Sequence, residues 1–509
     1  MTWANRSLVY VRPYINEPRS PTSTESLSAS SVASPAKRHW PALAALLTGN
    51  FVTILDLFIV NVAIPDIRAG LHASFAEIQL VMVGYSAAYA VFLLNGARLG
   101  DLYGRRRMFL AGMALFTLAS ALCGLATTPW MLIAMRVGQG LGAAILMPQV
   151  MASLRVLFDG DARRRAFGTM GAVQGVAASV SQIIGGWLIA HPLAADVSGW
   201  RAVFLVNVPI GIVALLAARA FVAESRAPVA ARLDVHGAVA GAVALAMLLV
   251  PIMQGRESGW PWWSWVLPLA SLLVFRHFVR VEQALSAAGR VPIIEMALFR
   301  NRSFVLGVLA IFLFYTAISS YFLALTILLQ FGRGLSALAA GLVFTPAAIA
   351  FFTGSLKAPR LAERIGQRAL LLGVATFAVG MVVLATMAQL GAGTAWLILP
   401  LMLNGFGQGM VIPLSLNTIL SGVETAQAGM GAGTVTTMQA VGNAVGVTVV
   451  GVLLFSLLGQ VDGADGAVAV DAATHAAHYG HAFALATLYN VGATVLSFVL
   501  FWRAWRRHA

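Results

Sequence analysis

Two charged residues lie deep within long apolar runs of this sequence. Asp56 belongs to LDLFIVNVAIP (55–65), and Arg136 belongs to RVGQGLG (136–142). A charged side chain at the centre of a bilayer costs about 2.5–3.5 kcal/mol on insertion scales, so such a residue is expected to serve a function. Burial and a neighbouring arginine act in opposite directions on the protonation of a carboxyl group. The two residues could therefore bind and release a proton as their surroundings change, and the alternative is a fixed structural ion pair.

A second charged motif occurs twice, as ARLGDLYGRRR (97–107) and PRLAERIGQRA (359–369), 262 residues apart. Each copy has an acid followed by a glycine and an arginine, and the glycine permits a tight turn. A charge cluster that only orients the chain would not need the repeated acid. We therefore predict a conformational latch, in which the acid pairs with a basic residue or a helix N-terminus in one state only. Its predicted members are Asp101, Gly104, Arg105, Glu363 and Arg364.

The segment GTMGAVQGVAASVSQIIGGWL (168–188) carries small residues at helical spacing. This is typical of helices that pack closely in a membrane. Gln182 is the polar member of the segment and could instead line a cavity. We assign it to a substrate cavity together with Asn61 and Gln139, two further polar residues of the apolar runs. The glycines predicted to mediate helix packing are Gly171, Gly175, Gly185 and Gly186.

The composition is that of a membrane protein. Of 509 residues, 59% are hydrophobic and only 10% are charged, whereas a soluble domain carries about 25% charged residues. The net charge of +14 comes from arginines in short loops between apolar runs, and not from a basic block, so a nucleic-acid partner is not expected. The single cysteine, Cys123, leaves no intrachain disulfide possible.

No cofactor or metal is expected. The glycine-rich strings at 138–143 and 429–434 lie in apolar helical runs, whereas a nucleotide fingerprint needs a strand–turn–helix context. No GK[ST] motif occurs, which disfavours an ATP-driven protein. Three histidines, His475, His478 and His481, recur in a loop with an interrupting glycine. That glycine favours a solvated loop over a metal site.

Fourteen apolar runs, from 42–65 to 482–502, have roughly the 20-residue length that crosses hydrocarbon. When loops are assigned alternately to the two sides, 28 of the 33 lysines and arginines fall on the side of the N-terminus. This bias predicts an even number of spans with both termini cytoplasmic, in the plasma membrane or bacterial inner membrane. The tryptophans between 260 and 265 then anchor the outer surface.

We predict an all-α polytopic fold with two related halves. The repeated loop motif, and the recurrence of RVGQGLG as GFGQGMV (405–411), relate spans 1–6 to spans 9–14. Two repeats around a central site are common in secondary transporters. The predicted parts are a disordered cytoplasmic tail at 1–39, an N-terminal six-helix bundle at 40–225, a two-helix insertion at 226–290 and a C-terminal six-helix bundle at 291–509.

These motifs resemble those of the major facilitator superfamily, and specifically of its fourteen-span drug:proton antiporters. LDLFIVNVAIP is similar to the span-1 signature of that subfamily, and ARLGDLYGRRR to the loop motif after span 2, with Ala97 where glycine is usual. RVGQGLGAA is similar to the span-4 motif that places a functional arginine, here Arg136. The segments 197–211 and 292–304 resemble the starts of spans 6 and 9.

Two features depart from the pattern of that subfamily. Ser181 and Gln182 stand where its span-5 signature has Gly-Pro, and no acid lies deep within the C-terminal half. The second departure leaves Asp56 as the one obvious membrane acid. The resemblance implies proton-driven export of amphipathic small molecules by alternating access, with Asp56 and Arg136 coupling the proton.

Several alternatives stay open. A dedicated exporter of a metabolite or lipid, or a proton symporter for uptake, would have the same fold. A membrane-embedded enzyme would need an acid–base pair such as His with Asp, and no histidine lies deep in a span. A sensor would not need a paired Asp56 and Arg136. We therefore predict a monomeric transporter in a lipid bilayer, not an enzyme, with small amphipathic substrates and protons as its ligands.

Overall fold

A computed structural model describes residues 35–191, 198–226, 235–287, 296–424, 427–462 and 472–506. Residues 1–34 of the predicted tail lie outside this description, whereas residues 35–39 belong to the first helix and not to a tail. No β-strand occurs among the described residues. The α-helices are α1 (Pro35–Leu71), α2 (Phe75–Tyr103), α3 (Arg105–Gly124), α4 (Pro129–Leu157), α5 (Gly160–Ala190), α6 (Gly199–Leu205), α7 (Asn207–Phe221), α8 (Val235–Glu257), α9 (Trp263–Ala287), α10 (Arg302–Ile327), α11 (Ala337–Ile365), α12 (Arg368–Gln389), α13 (Ile398–Leu420), α14 (Ala428–Asp462) and α15 (Ala472–Trp505).

The prediction of fourteen spans is confirmed. Fourteen helical segments of the described chain are long and apolar enough to cross a bilayer, and α6 and α7 together form the sixth. Side-chain caps begin several of them, as at Ser74, which forms a capping box with Glu77 before α2. Because successive spans run in opposite directions, the arginine-containing loops gather at one end of the bundle. We call this the arginine-rich end, and it carries Arg105, Arg155 and Arg163.

Spans 1–6 (α1–α7) and spans 9–14 (α10–α15) form two halves with one packing pattern. In the N-terminal half, α4 packs on α2 and α3; in the C-terminal half, α13 packs on α11 and α12. Gly140 of α4 lies against the backbone of Tyr85 in α2, and Gly409 of α13 lies against the backbone of Phe351 in α11. A side chain at either glycine would force these helices apart, so both contacts depend on glycine.

The two-helix insertion, α8 and α9, packs beside the two halves and not within either of them. Helix α8 contacts α2 and α14, one helix from each half. Ala238 and Phe278 of the insertion form a small apolar cluster with Phe92 and Leu94 of α2. The outward faces of α8 and α9 expose mainly valine, leucine and tryptophan side chains, as expected of helices that face lipid.

The two halves meet through α2 with α14 and through α5 with α11. At the end opposite the arginine-rich end they are in direct contact. There, the ring of Phe75 stacks on that of Phe455 with centroids 4.0 Å apart, and Gln330 Nε2 donates a hydrogen bond to the backbone oxygen of Val62 at 3.1 Å. Towards the arginine-rich end the halves separate and enclose a cavity.

Candidate functional site: a buried ion pair beside a central cavity

Asp56 on α1 and Arg136 on α4 form an ion pair inside the N-terminal half. Arg136 Nη1 donates to Asp56 Oδ2 at 2.5 Å, and the two side chains are at most 1% exposed. Arg136 Nε also donates to the backbone oxygen of Val81 on α2, at 3.2 Å. A buried pair needs such additional hydrogen bonds, because its mutual attraction alone rarely offsets the loss of hydration.

Two amide side chains complete the surroundings of the carboxylate. Gln139, one turn after Arg136 on α4, donates from Nε2 to Asp56 Oδ1 at 2.9 Å. Asn207 Nδ2 donates to the same oxygen at 2.8 Å, and both amides also donate to Ser120 Oγ. An ionised carboxylate only accepts hydrogen bonds, so it is matched to these three N–H donors. Protonation of Asp56 would remove the negative charge that strengthens these hydrogen bonds.

Asn207 and Ser120 are candidate residues that the sequence does not single out. Asn207 is the first residue of α7, at the break between α6 and α7 and two residues before Pro209. A signal was present, because an amide interrupts the apolar stretch FLVNVPIG. Its contact with Asp56 joins positions 151 residues apart, however, so only the packing of span 6 on span 1 reveals the partner.

Tyr85 separates the ion pair from the central cavity. Its ring centroid lies 4.7 Å from the guanidinium carbon of Arg136, in the geometry of a cation–π interaction. Its side chain also lines the cavity, and its hydroxyl donates to the backbone oxygen of Thr53 at 3.4 Å. The ion pair therefore lies one side chain away from the cavity without being exposed to it.

The cavity lies between the two halves and has a volume of about 780 Å³. Its wall is formed by α1, α2, α4 and α5 of one half and by α10, α11, α13 and α14 of the other. It extends to the arginine-rich end, where Arg155 and Arg163 line its mouth. Cavities of this size accommodate drug-sized molecules.

The three predicted cavity residues have different positions. Gln182 lines the cavity, and its Nε2 donates to the backbone oxygen of Phe58 at 3.0 Å. The prediction is wrong for Gln139, which belongs to the ion-pair network, and for Asn61, which is buried outside the cavity wall. The rotation of each helix decides which polar residue faces the cavity, and the apolar pattern of a span does not record that rotation.

A family model described as the Major Facilitator Superfamily matches residues 46–447, which include both members of the ion pair and both repeated loops. The chain belongs to the major facilitator superfamily. It is 37% identical over 430 residues to the "Probable actinorhodin transporter" of Streptomyces coelicolor, covering 84% of this chain and 74% of the relative. It is 35% identical over 465 residues to the "Cephamycin export protein CmcT" of Amycolatopsis lactamdurans (90% and 92% covered). A third relative, 32% identical over 413 residues, is the "Multidrug resistance protein Stp" of Mycobacterium tuberculosis (81% and 75% covered).

Solved structures support the same fold for this superfamily member. The bacterial homologue of the human lysosomal transporter Spinster, in an inward-facing and unoccupied conformation, matches with a TM-score of 0.66 at 15% identity. The match covers 93% of this chain and 98% of that one. The predicted all-α major-facilitator fold, with two six-helix halves and a two-helix insertion, is therefore confirmed.

In this superfamily member, the glycines of span 5 have unequal surroundings. Gly186 lies against the backbone of Leu338 on α11, where an added Cβ would come within 2.5 Å of the Leu338 Cα. The packing prediction is wrong for Gly171, because a Cβ there would meet no atom within 4 Å and the residue lines the cavity. The other two glycines contact neighbouring helices: Gly175 faces Phe351 and Gly185 faces Ile59.

The first copy of the superfamily's loop motif is held by an acid that the sequence does not single out. Glu224, which follows α7, accepts hydrogen bonds from the backbone N–H groups of Arg106 and of the next residue, at 3.0 and 3.2 Å. Gly104 has a φ of +105° and lies against the same carboxylate, so both its conformation and its space favour glycine. Asp101 pairs with Arg105 at 3.2 Å. That ion pair joins the last turn of α2 to the first residue of α3, and it does not bridge the two halves of the molecule.

Within the described part of the chain, the second copy of the loop motif has no comparable partner. Glu363 and Arg364 are exposed at the end of α11. Neither forms an ion pair with another described residue. The latch role of both copies stays a prediction.

Proposed function

We propose that this chain is a proton-coupled exporter of amphipathic small molecules that works by alternating access as a drug:proton antiporter. The placement of Asp56 carries the proposal: a fully buried carboxylate, paired with Arg136, lies one side chain away from a drug-sized cavity. An ionisable residue within a membrane span is a functional site by default, and a buried ion pair is weak evidence for a purely structural role. The relatives named for cephamycin export and multidrug resistance support export as the direction.

In the proposed cycle, protonation of Asp56 and binding of substrate favour opposite conformations. The ionised carboxylate joins α1 to α4 and α7 through its three donors. Neutralising it removes the charge that holds Arg136, Gln139 and Asn207 in place, so these helices can shift relative to one another. A ligand moves such an equilibrium only through its different affinities for the two states. Proton uptake on one side then accompanies substrate release on that side.

We assign the arginine-rich end to the cytoplasm on the basis of the positive-inside rule. We propose that the membrane is a plasma membrane, and a bacterial inner membrane where the envelope has two membranes, because the relatives named above are bacterial. The observed conformation is then the one that takes up substrate from the cell. Because the cavity lies between two halves of one chain, a monomer is sufficient for the cycle.

Because Asp56 is the one coupling acid in this proposal, we expect one proton per substrate. Exchange of a monovalent cation for a proton would move no net charge, so the pH gradient alone would drive it. Exchange of a neutral substrate would move one charge, which a membrane potential drives by about 2.3 kcal/mol per 100 mV. The electrical response of transport therefore reports the charge of the substrate.

The test is an exchange assay with the full chain in proteoliposomes that contain a pH-sensitive dye. Cationic, neutral and anionic aromatic amphiphiles are added in turn. We expect proton flux opposite to substrate flux for at least one class, and loss of that flux in Asp56→Asn. Asp161→Asn, a change at an exposed acid at the start of α5, is the matched control. Equal exchange by Asp56→Asn would contradict the proposal, and flux of proton and substrate in the same direction would indicate uptake by symport.

A further inference from the structure

The wall of the central cavity carries positive charge and no carboxylate. Among the described residues that line it, the only charged side chains are Arg155 and Arg163, both at the mouth. Arg163 is paired with Asp159 at 2.6 Å, whereas Arg155 belongs to no ion pair of the described chain. The nearest membrane acid, Asp56, lies behind Tyr85 and is already paired with Arg136. A cationic ligand would therefore find no counter-ion in this cavity.

Hydrogen-bonding groups in the cavity are concentrated on α13 and α14 of the C-terminal half. The side chains of Gln408 and Gln439 line the cavity and make no hydrogen bond with any described residue, so their amides are available to a ligand. Asn443 accepts from Ser319 Oγ through its Oδ1 at 2.6 Å, which leaves its N–H groups for a ligand. These amides are the kind of convergent polar groups that orient a molecule in an otherwise apolar pocket.

Aromatic rings line the part of the cavity that lies furthest from its mouth. Phe322 lies between Phe58 and Phe344, with ring centroids 6.1 and 5.6 Å away respectively. Tyr89 of α2 and Tyr315 of α10 add further rings with hydroxyl groups to the lining. Rings at this spacing accept another aromatic ring in offset or edge-to-face contact.

We propose that the cavity takes aromatic molecules that are neutral or anionic and that carry several hydrogen-bonding groups, and that it discriminates against lipophilic cations. This inference rests on the proposed export function, because it treats the cavity as the substrate site. The arginines at the mouth favour the approach of an anion and oppose that of a cation. The amides bind hydroxyl, carbonyl and carboxylate groups, and the aromatic rings bind the flat body of the molecule. The wall offers a cation only neutral partners, namely the faces of these rings and the amide oxygens, and no full negative charge.

The first experiment compares three fluorescent anthracene derivatives that differ in one substituent, a hydroxymethyl, a carboxylate or a trimethylammoniomethyl group. Equilibrium binding of each to the full chain in detergent is measured at neutral pH. We expect the neutral and anionic probes to bind at least about tenfold more tightly than the cation. The inference would be overturned if the cationic probe bound as tightly as the neutral or the anionic probe. It would also be overturned if none of the three probes showed saturable binding.

A second experiment supplies the missing carboxylate. Gln439→Glu keeps the shape of the side chain and places a negative charge in the cavity wall. We expect this variant to bind the cationic probe about tenfold more tightly than the native chain and the anionic probe correspondingly less. Gln389→Glu, at an exposed glutamine at the end of α12, is the matched control and should change neither affinity. If Gln439→Glu kept the native preference among the three probes, residue 439 would not face the bound molecule. The assignment of this wall to the substrate site would then be wrong.

The two proposals fail in different ways. Proton exchange that depends on Asp56 but selects cations would overturn the substrate class and leave the export function standing. Selective binding of the neutral and anionic probes without any proton exchange would overturn the export function and leave the chemistry of the cavity standing.

Discussion

The two halves of the molecule share a scaffold and carry different chemistry at matching positions. The α4 segment RVGQGLG corresponds to GFGQGMV in α13 at an offset of 269 residues. Gly405 therefore stands where the N-terminal half has Arg136, and Gln408 stands where it has Gln139. Gln139 is buried against Asp56, whereas Gln408 lines the cavity.

The helices that pack on these segments differ in the same way. In the N-terminal half, Asn207 of span 6 donates to Asp56 of span 1 at 2.8 Å. In the C-terminal half, Ser320 of span 9 donates to Asn490 of span 14 at 2.6 Å. An asparagine thus joins the first and last span of each half, and all four side chains are buried. Of the two contacts, only the one in the N-terminal half includes an ionisable group.

This difference indicates how a duplicated scaffold can separate two tasks. The N-terminal half has a sealed, charged network that suits a proton, and the C-terminal half presents most of the neutral amides of the cavity, which suit a substrate. The exchange of arginine for glycine also has a steric basis, because a Cβ on Gly405 would overlap the backbone of Ala347 on α11. The close approach of α13 to α11 therefore leaves no room for a charged side chain at that position.

The largest effect is expected from removing the charge that only the N-terminal half contains. Asp56→Asn should abolish proton-coupled exchange in proteoliposomes, because the amide cannot carry a proton in its place. Ser320→Ala, at the corresponding contact of the C-terminal half, should leave the proton coupling intact. Loss of coupling in both variants would show that the two contacts do not differ in function, and the comparison would fail.

Arg136→Gln tests the Asp56–Arg136 ion pair by removing its positive member. It leaves a buried carboxylate without a counter-charge, which typically costs about 3–5 kcal/mol of stability. Denaturant unfolding in detergent measures this cost. Adding Asp56→Asn to Arg136→Gln should restore most of the lost stability, since no uncompensated charge remains. A double variant as unstable as Arg136→Gln alone would contradict the assignment of the pair.

Gly186→Ala tests whether the halves move relative to each other. Its new methyl group would collide with the backbone of Leu338 in the other half, and overpacking of this kind typically costs about 1–3 kcal/mol. The conformational equilibrium should shift towards a state in which the halves are separated at the end opposite the arginine-rich end. Distances between spin labels on α5 and α11 measure this shift. The sole cysteine, Cys123, is buried and simplifies the labelling. Gly171→Ala on the same helix is the control and should shift nothing.

The smallest effect is expected at the repeated loops. Glu224→Gln removes the charge that binds the N-terminus of α3 and should destabilise the protein by about 0.5–1 kcal/mol. The measurement is again unfolding in detergent. Glu363→Gln, at the exposed acid of the second loop, should have no measurable effect on stability. A loss of stability in Glu363→Gln equal to that in Glu224→Gln would show that the two loops are stabilised in the same way.

Much of the fold could be predicted from the sequence, because hydropathy and the charges of the loops record how a chain crosses a bilayer. The fourteen spans follow from apolar length. The contact of Asp56 with Arg136 follows from the scarcity of charge within those spans. The repeat of RVGQGLG as GFGQGMV revealed two related halves before any contact between helices was known.

The remaining parts of the site depend on helix rotation and on distant packing. Gln139 and Gln182 are both amides in apolar spans, yet one faces Asp56 and the other faces the cavity. Asn207 and Glu224 reach their partners across 151 and 118 residues of sequence respectively. Nothing in the local pattern of a span specifies which neighbouring helix its polar residue will meet.

The central claim, that Asp56 carries the proton that substrate displaces, is tested most directly by counting protons. Substrate is added to the purified chain in weakly buffered detergent, and the protons released per molecule are measured. The account predicts about one proton for the native chain and for Ser320→Ala, and none for Asp56→Asn, since Asp56 is the proposed coupling acid. Release of the same number of protons by Asp56→Asn would contradict the account and place the coupling group elsewhere.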